Sequence, residues 1–298
     1  HRTRVPQAWQ FGLGAGVVIA DVDFGCLVSH RDLIGAITHT YNSFDGTNDV
    51  SCGEKKGHGT GVLGIAGARA DGLGLAGYAP AAELWSIQGN TGCHPSITDK
   101  PWSAAIDHIL DRPVPTGTRK VILVELETRR RGGNFEQVPS IARAIREAIA
   151  QNCVVVVTAG NGDRPVNLTD NDEPFEPTGS ILVGATIFDT AVNIRADFSN
   201  HGPEVVVSAP GDEVHDVTCS ARDDTSYRNG FGGTSGAAAK VAGTVALMLS
   251  VNPHLTHEEV REILRTTGSQ IITASNRKVG NFLDAGAAVL EARNRLAN

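Results

Sequence analysis

Val154-Val155-Val156-Val157-Thr158 is apolar at four successive positions and shows no in/out alternation. A strand with one wet face alternates apolar and polar residues, whereas a strand covered on both faces does not. This stretch therefore predicts a central strand in a sheet that is covered on each side. Working outward, runs of the same kind recur at Val17–Val22, Leu84–Ile87, Val121–Leu126, Ile181–Ala185 and Val205–Ala209. Helical patterns lie between them. Ile141, Ile145, Ala148 and Ile149 form one apolar stripe, with Ser140 read as its N-cap. Ala237–Val251 is apolar nearly all round and predicts a buried helix. Thr256 with Glu259 three residues on reads as a capping box. The alternation predicts an α/β fold of three layers, doubly wound, with a mostly parallel sheet and helices on both faces. No repeat or linker interrupts the chain, so residues 1–298 are expected to form a single domain.

Composition narrows the function classes. The 298 residues carry 26 Lys and Arg against 33 Asp and Glu, a formal net charge of −7. That balance disfavours nucleic acid and anionic membrane surfaces as partners. The basic run Arg129-Arg130-Arg131 sits beside two glycines and reads as a solvated loop. No apolar stretch approaches the roughly 20 residues of a membrane-spanning helix. A monomer is expected. The chain opens on His1, which fits removal of an upstream pro-segment. None of the five cysteines forms a CxxC pair, so zinc spacing is absent. Cys153 reads as a buried free thiol. Cys52 and Cys93, in polar and glycine-rich stretches, are the expected disulfide, with five reduced thiols as the alternative. A disulfide would imply an oxidising compartment, hence a secreted or extracytoplasmic protein.

In a doubly wound sheet, functional groups gather at the carboxyl ends of the strands. Asp23 lies just past the first strand and is followed by Phe24-Gly25. His58 sits in Gly57-His58-Gly59-Thr60. Ser235 sits in Gly232-Gly233-Thr234-Ser235-Gly236-Ala237-Ala238, at the entrance to the buried helix. Unpaired N–H groups and the positive dipole end make that position suitable for a nucleophile whose attack creates an oxyanion. Any one of these three is ordinary: a strand-end Asp, a turn His, a capping Ser. Their order along the chain, Asp then His then Ser, is one known for nucleophilic triads.

These segments resemble those of the subtilase (subtilisin-like) family. Val18-Ile19-Ala20-Asp21-Val22-Asp23-Phe24-Gly25 is similar to the family's strand ending in Asp-Thr/Ser-Gly, and Ser29-His30-Arg31-Asp32-Leu33 to its SHPDL segment. His58-Gly59-Thr60, Gly77-Tyr78-Ala79-Pro80, Ala159-Gly160-Asn161 and Gly233-Thr234-Ser235 correspond to its HGT, GVAP, AAGN and GTS motifs. Asn252-Pro253 and Leu255-Thr256 resemble its C-terminal NPxLT segment. The resemblance implies a serine endopeptidase acting on peptide or protein substrates. It implies Ser235 as nucleophile, His58 as base, Asp23 as the acid that orients His58, and Asn161 as oxyanion donor beside the Ser235 N–H. Gly25 and the downstream His30-Arg31-Asp32-Leu33 set the register and favour Asp23 over Asp21. The substrate backbone is expected to run along Glu125-Leu126-Glu127, with Ala159 and Gly160 opposite.

Three departures stand out. Where the family carries Ser-Leu-Gly, this chain has Glu125-Leu126-Glu127. Asp21 and Asp23 share one strand face, and Glu125 and Glu127 another. One reading brings Asp21 up to Glu125 or Glu127 to share a proton with it. The alternative sends the glutamates to solvent or to the Arg129–Arg131 loop. A further expectation is selection of a basic substrate side chain at P1 or P4. After the serine, Gly236-Ala237-Ala238-Ala239-Lys240 replaces the usual Met-Ala-Ser-Pro-His, which marks a distant branch. The spacing from His58 to Pro80 equals that of calcium-loop relatives. The resemblance thereby assigns Asp32 and Asp71 as structural calcium ligands, with the carbonyls of Arg69, Leu73 and Leu75, while an Asp-Gly turn is the plain reading. No cofactor is required for the chemistry. Alternative activities are a transpeptidase or macrocyclase of the same fold and a non-catalytic binding member. Gly12-x-Gly14-x-Gly16 precedes a strand instead of following one, so a nucleotide loop is disfavoured.

Overall fold

A nine-stranded sheet forms the middle layer of the computed structural model, which describes residues 2–53, 55–89, 99–187, 192–211 and 217–296. The strands are β1 (Val17–Asp23), β2 (Ile37–Asn42), β3 (Glu83–Gln88), β4 (Arg119–Val124), β5 (Val154–Thr158), β6 (Ile181–Ile187), β7 (Ile194–Arg195), β8 (Val205–Pro210) and β11 (Asn281–Phe282). The order is β11-β8-β6-β5-β4-β1-β3-β2, with β7 antiparallel on β6 and every other pairing parallel. A short antiparallel hairpin, β9 (Val217–Cys219) and β10 (Tyr227–Asn229), stands apart.

Side-chain parity splits the core in two. Val17 and Ile19 of β1, Val121 and Leu123 of β4, and Val154 and Val156 of β5 face one layer. That layer holds α2 (Lys56–Gly67), α5 (Gly233–Val251), α6 (His257–Thr267) and α7 (Ala285–Leu296). The intervening residues Val18, Ala20, Val22, Ile122, Val124, Val155 and Val157 face α3 (Lys100–Asp111) and α4 (Pro139–Ala150). Both faces are dry, which is why the strands read as continuous apolar runs. This is the expected three-layer α/β architecture.

The helix α5 is buried along nearly its whole length. It is long and apolar enough to cross a membrane, yet 89% of its apolar window is buried in the protein as the central core helix. Thr256 caps α6, and the reciprocal bond from Glu259 completes the capping box. Two boundaries differ from expectation. Helix α4 starts at Pro139, with Val138 at the cap position, so Ser140 lies inside the first turn and does not cap it. Proline at the first helical position is pre-set for the helix and has no N–H to satisfy. Strand β4 ends at Val124, so Glu125 and Leu126 lie just beyond the ladder.

Candidate active site

The chain reverses its direction of travel across the sheet between β1 and β4. From β1 it proceeds to β3 and β2 on one side, and from β4 to β5, β6 and β8 on the other. Such a switch point opens a crevice at the carboxyl ends of the strands. Asp23 is the last residue of β1, and Glu125 follows the last residue of β4. By parity Asp21, Asp23 and Glu125 all point to the layer of α2 and α5. His58 is the third residue of α2, and Ser235 the third of α5. Four of the five glycines in α2 let it sit this close. A Cβ on Gly59 would meet the Gly25 carbonyl at 2.4 Å, and one on Gly61 would meet the Phe231 ring at 2.7 Å. Gly25 itself has φ +102°, which permits the turn directly after Asp23.

Asp23, His58 and Ser235 form a linear array. His58 Nδ1 lies 2.6 Å from Asp23 Oδ2, and His58 Nε2 lies 3.2 Å from Ser235 Oγ. The other Asp23 oxygen accepts from the Phe24 N–H at 2.6 Å. Both Asp23 and Ser235 are buried, while His58 is open to the cleft along one edge. Burial pushes the His58 pKa down, but the charge and hydrogen bond of Asp23 outweigh it, and the net shift is upward from 6.5. Arg228 and Lys55, on the same wall, pull it down weakly. Phe24 packs edge-on to His58 with ring centroids 5.8 Å apart.

Asn161 follows β5 and faces the array. Its Oδ1 accepts from the Thr234 N–H at 2.9 Å and from the Thr234 hydroxyl at 3.1 Å. These two bonds fix the amide orientation and turn Nδ2 toward the cleft. In the first turn of α5, the Gly233 N–H bonds to the Gly211 carbonyl and the Thr234 N–H to Asn161. The Ser235 N–H has no partner among the described residues. A free N–H and an oriented carboxamide therefore meet beside Ser235 Oγ.

The acidic surroundings are as the strand register dictates. Asp21 and Glu125 are 1% and 3% exposed, and none of their four carboxyl oxygens has a hydrogen-bond partner among the described residues. Burial raises the Asp21 pKa well above the usual carboxylate range, and the charges of Asp23 and Glu125 raise it further. Burial and Asp23 do the same to Glu125; the adjacent Ser235 hydroxyl opposes this weakly without reaching hydrogen-bond geometry. Glu127 behaves differently. It is exposed, and its Oε2 accepts from Asn161. Of the two glutamates, Glu125 and not Glu127 is among the charges that act on Asp21. The basic loop does not pair with either glutamate: Arg130 bonds to Asn171 and Arg131 to Asp172.

A cleft of about 1070 Å³ runs over the array and is lined by Glu125, Leu126, Glu127, Thr158 and Asn161. Ala159 and Gly160 do not line it. Parity turns Ala159 to the opposite layer, and the Ala159 and Gly160 carbonyls accept from Asn200. Phe24, Lys55, Trp102 and Arg228 also line the cleft and were not singled out by sequence. Phe24 and Lys55 neighbour motif residues, but no sequence signal marks Trp102 or Arg228.

Asp32 and Asp71 do not fit a calcium shell. Asp32 is buried, with Oδ2 accepting from the Leu75 N–H at 2.9 Å, Arg31 Nε at 3.4 Å from Oδ1, and the Tyr227 hydroxyl alongside. The amide of Leu75, not its carbonyl, faces this carboxylate. Asp71 closes a turn on the Leu73 N–H at 2.9 Å. Calcium needs an oxygen shell, and Asp32 is surrounded by donors. Asp32, His30 and Cys219 converge in the same buried region. Both His30 nitrogens are engaged there, with Asp32 N at 3.2 Å and the Ser226 carbonyl at 2.9 Å, and burial followed by Asp32 pushes the Cys219 thiol up to about 12. Cys26, Cys153 and Cys219 are free and buried, and Cys52 is disulfide-bonded. Cys93, its expected partner, lies outside the described residues.

Comparisons with known proteins agree with this geometry. The profile of the subtilase family matches residues 14–283. The chain is 29% identical to an intracellular serine protease of Paenibacillus polymyxa over 82% of this chain and 70% of that one. It is 30% identical to an extracellular basic protease of Dichelobacter nodosus, over 97% of this chain and 53% of that one. Among solved structures, a protease of Pseudoalteromonas arctica superposes with a TM-score of 0.76 at 26% identity, covering 97% of this chain and 94% of that one. The two relatives are named as proteases, one intracellular and one extracellular. The chain belongs to the subtilase family of serine peptidases.

Proposed function

We propose that this chain hydrolyses peptide bonds within polypeptides through an acyl-enzyme, with Asp23, His58 and Ser235 as the catalytic triad. The observation that carries the reading is the pair of contacts at 2.6 and 3.2 Å that link the three side chains in line. His58 Nε2 takes the proton from Ser235 Oγ as the oxygen attacks the scissile carbonyl carbon. Asp23 holds the opposite nitrogen protonated, which keeps Nε2 free to accept and steadies the imidazolium. The carbonyl oxygen, now negative, receives the Ser235 N–H and one N–H of Asn161 Nδ2. His58 then returns its proton to the leaving amine, the C–N bond breaks, and an ester on Ser235 remains. Water loses a proton to His58 and attacks that ester; the ester C–O bond breaks, His58 returns the proton to Ser235 Oγ, and the carboxylic acid leaves.

Residues 1–298 would form one peptidase domain. The substrate strand would lie along Glu125-Leu126-Glu127. A protein exported to an oxidising compartment fits the disulfide at Cys52. Cleavage of a denatured protein mixture by native chain and by Ser235→Ala tests the reading. The account expects new peptide termini with the native chain and none with the variant. Equal cleavage by both would remove Ser235 from the mechanism.

A further inference from the structure

Glu127 stands at the rim of the cleft, three residues past the end of β4. Its Oε2 accepts two hydrogen bonds from one residue, the backbone N–H of Asn161 at 3.0 Å and the side-chain Nδ2 at 2.8 Å. Asn161 cannot turn away, because Oδ1 is held by the Thr234 N–H and hydroxyl. Nδ2 carries two hydrogens, so one lies on Glu127 and one is left for substrate. A carboxylate on the group that must steady an oxyanion is electrostatically adverse. The negative charge that develops on the scissile carbonyl meets a second negative charge a few ångströms away, in a cleft that substrate makes drier.

Among the described residues no cation pairs with this carboxylate. Arg130 and Arg131 are held by Asn171 and Asp172, and Arg164 by Asp170 and Asp172. Arg129 lines the cleft but makes no ion pair with Glu127 among the described residues. Lys55 and Arg228 belong to the His58 wall. A substrate can supply the missing cation. Past the paired end of β4 the chain continues as 125–127, and these residues line the cleft together with Thr158, Asn161 and Ser235.

We propose that Glu127 is a specificity-determining residue selecting substrates with lysine or arginine at P1, the residue whose carbonyl is attacked. The cation pairs with Glu127 and cancels the charge that otherwise sits on the Asn161 amide. A neutral P1 side chain leaves that charge in place and is cleaved more slowly. This rests on the reading of Ser235 and Asn161 given under Proposed function, and it names the substrate class for that site.

The test compares peptides that differ only at P1, lysine or norleucine, which share a stem and differ in charge. The native chain is expected to show kcat/KM about tenfold or more higher for lysine. Glu127→Gln keeps an acceptor for Asn161 but loses the charge. It should bring the ratio close to one, by slowing the lysine peptide and speeding the norleucine peptide. A native ratio near one, or a ratio unchanged in Glu127→Gln, overturns the proposal. Calorimetric binding of both peptides to Ser235→Ala, with and without Glu127→Gln, reads recognition without chemistry. Tighter lysine binding that depends on Glu127 supports the proposal even if hydrolysis fails for another reason, and equal binding overturns it. Circular dichroism melting of Glu127→Gln that overlays the native curve establishes that the change is not one of folding.

Discussion

His58 carries opposing influences that set where the enzyme switches on. Burial favours its neutral form, Asp23 favours the cation, and Asp23 prevails. A general base must be neutral to accept a proton. With His58 as the proposed base, its raised pKa predicts that activity at low pH is lost at a pH above the ordinary histidine value of 6.5. Lys55 and Arg228 hold that value down, so neutralising either removes an opposing charge. We predict that Lys55→Ala and Arg228→Ala each move the acidic limb of kcat/KM to higher pH. The shift should shrink as salt rises, since surface charges are screened. A pH–rate profile measured at two ionic strengths checks this; a limb moving to lower pH would contradict it. At this scale the sequence was legible where a residue lies inside a motif. Asp23, His58, Ser235 and Asn161, picked out by their resemblance to family motifs, all line one cleft or lie against it. The free Ser235 N–H, the Thr234 clamp on Asn161 and the Glu127 contact depend on distances between segments far apart in the chain. Local sequence does not contain those distances. The Ala159 and Gly160 carbonyls accept from Asn200, a contact that motif membership does not specify.

Two neighbouring strands produce the second consequence. In the β1–β4 register Val22 lies opposite Val124, which brings Glu125 up beside Asp23, with Asp21 two residues behind on the same face. Asp21 and Glu125 end up buried without hydrogen-bond partners among the described residues, and burial with neighbouring charge raises both carboxyls. In the unfolded chain they ionise near pH 4. Between that pH and their raised folded values, the folded state holds protons that the unfolded state has released. Stability contributed by these groups is therefore lost as pH rises through that window. We predict that Asp21→Asn flattens the fall of Tm with rising pH. At pH 8 it should raise Tm by several degrees, since about 1 kcal/mol moves Tm by roughly 2 °C in a chain of this size. Scanning calorimetry from pH 4 to 8 decides it, and a parallel or lower Tm curve would count against the buried acid pair. The apolar runs identified the central strands because both sheet faces are dry. Edge strand β2, Ile37–Asn42, was not legible, since an edge exposed to water carries mixed polarity. Helix α2 was hidden by its five glycines, which are poor helix formers; contact with β1, the Phe231 ring and Thr218 holds them in place.

For the whole molecule, the fold assembles chemistry that no single segment owns. A crossover at the sheet's switch point opens a crevice, α2 and α5 roof it from one layer, and each contributes the third residue of its first turn. The buried α5 anchors Ser235 from within the core, so its Oγ position is set by packing along nineteen helical residues. This arrangement predicts that Asn161→Ala leaves folding intact while kcat falls by about 10²–10³, the range known for loss of such a donor in a subtilisin, a related enzyme. Melting curves that overlay alongside that loss are the expected result, and a rate within about twofold of native would remove Asn161 from the oxyanion site. The most direct test of the central claim is covalent labelling with a fluorophosphonate, mapped by peptide mass spectrometry. The account predicts one adduct, on Ser235, formed by the native chain and lost in His58→Ala. An adduct on another residue, or undiminished labelling of Ser235 in His58→Ala, would contradict it.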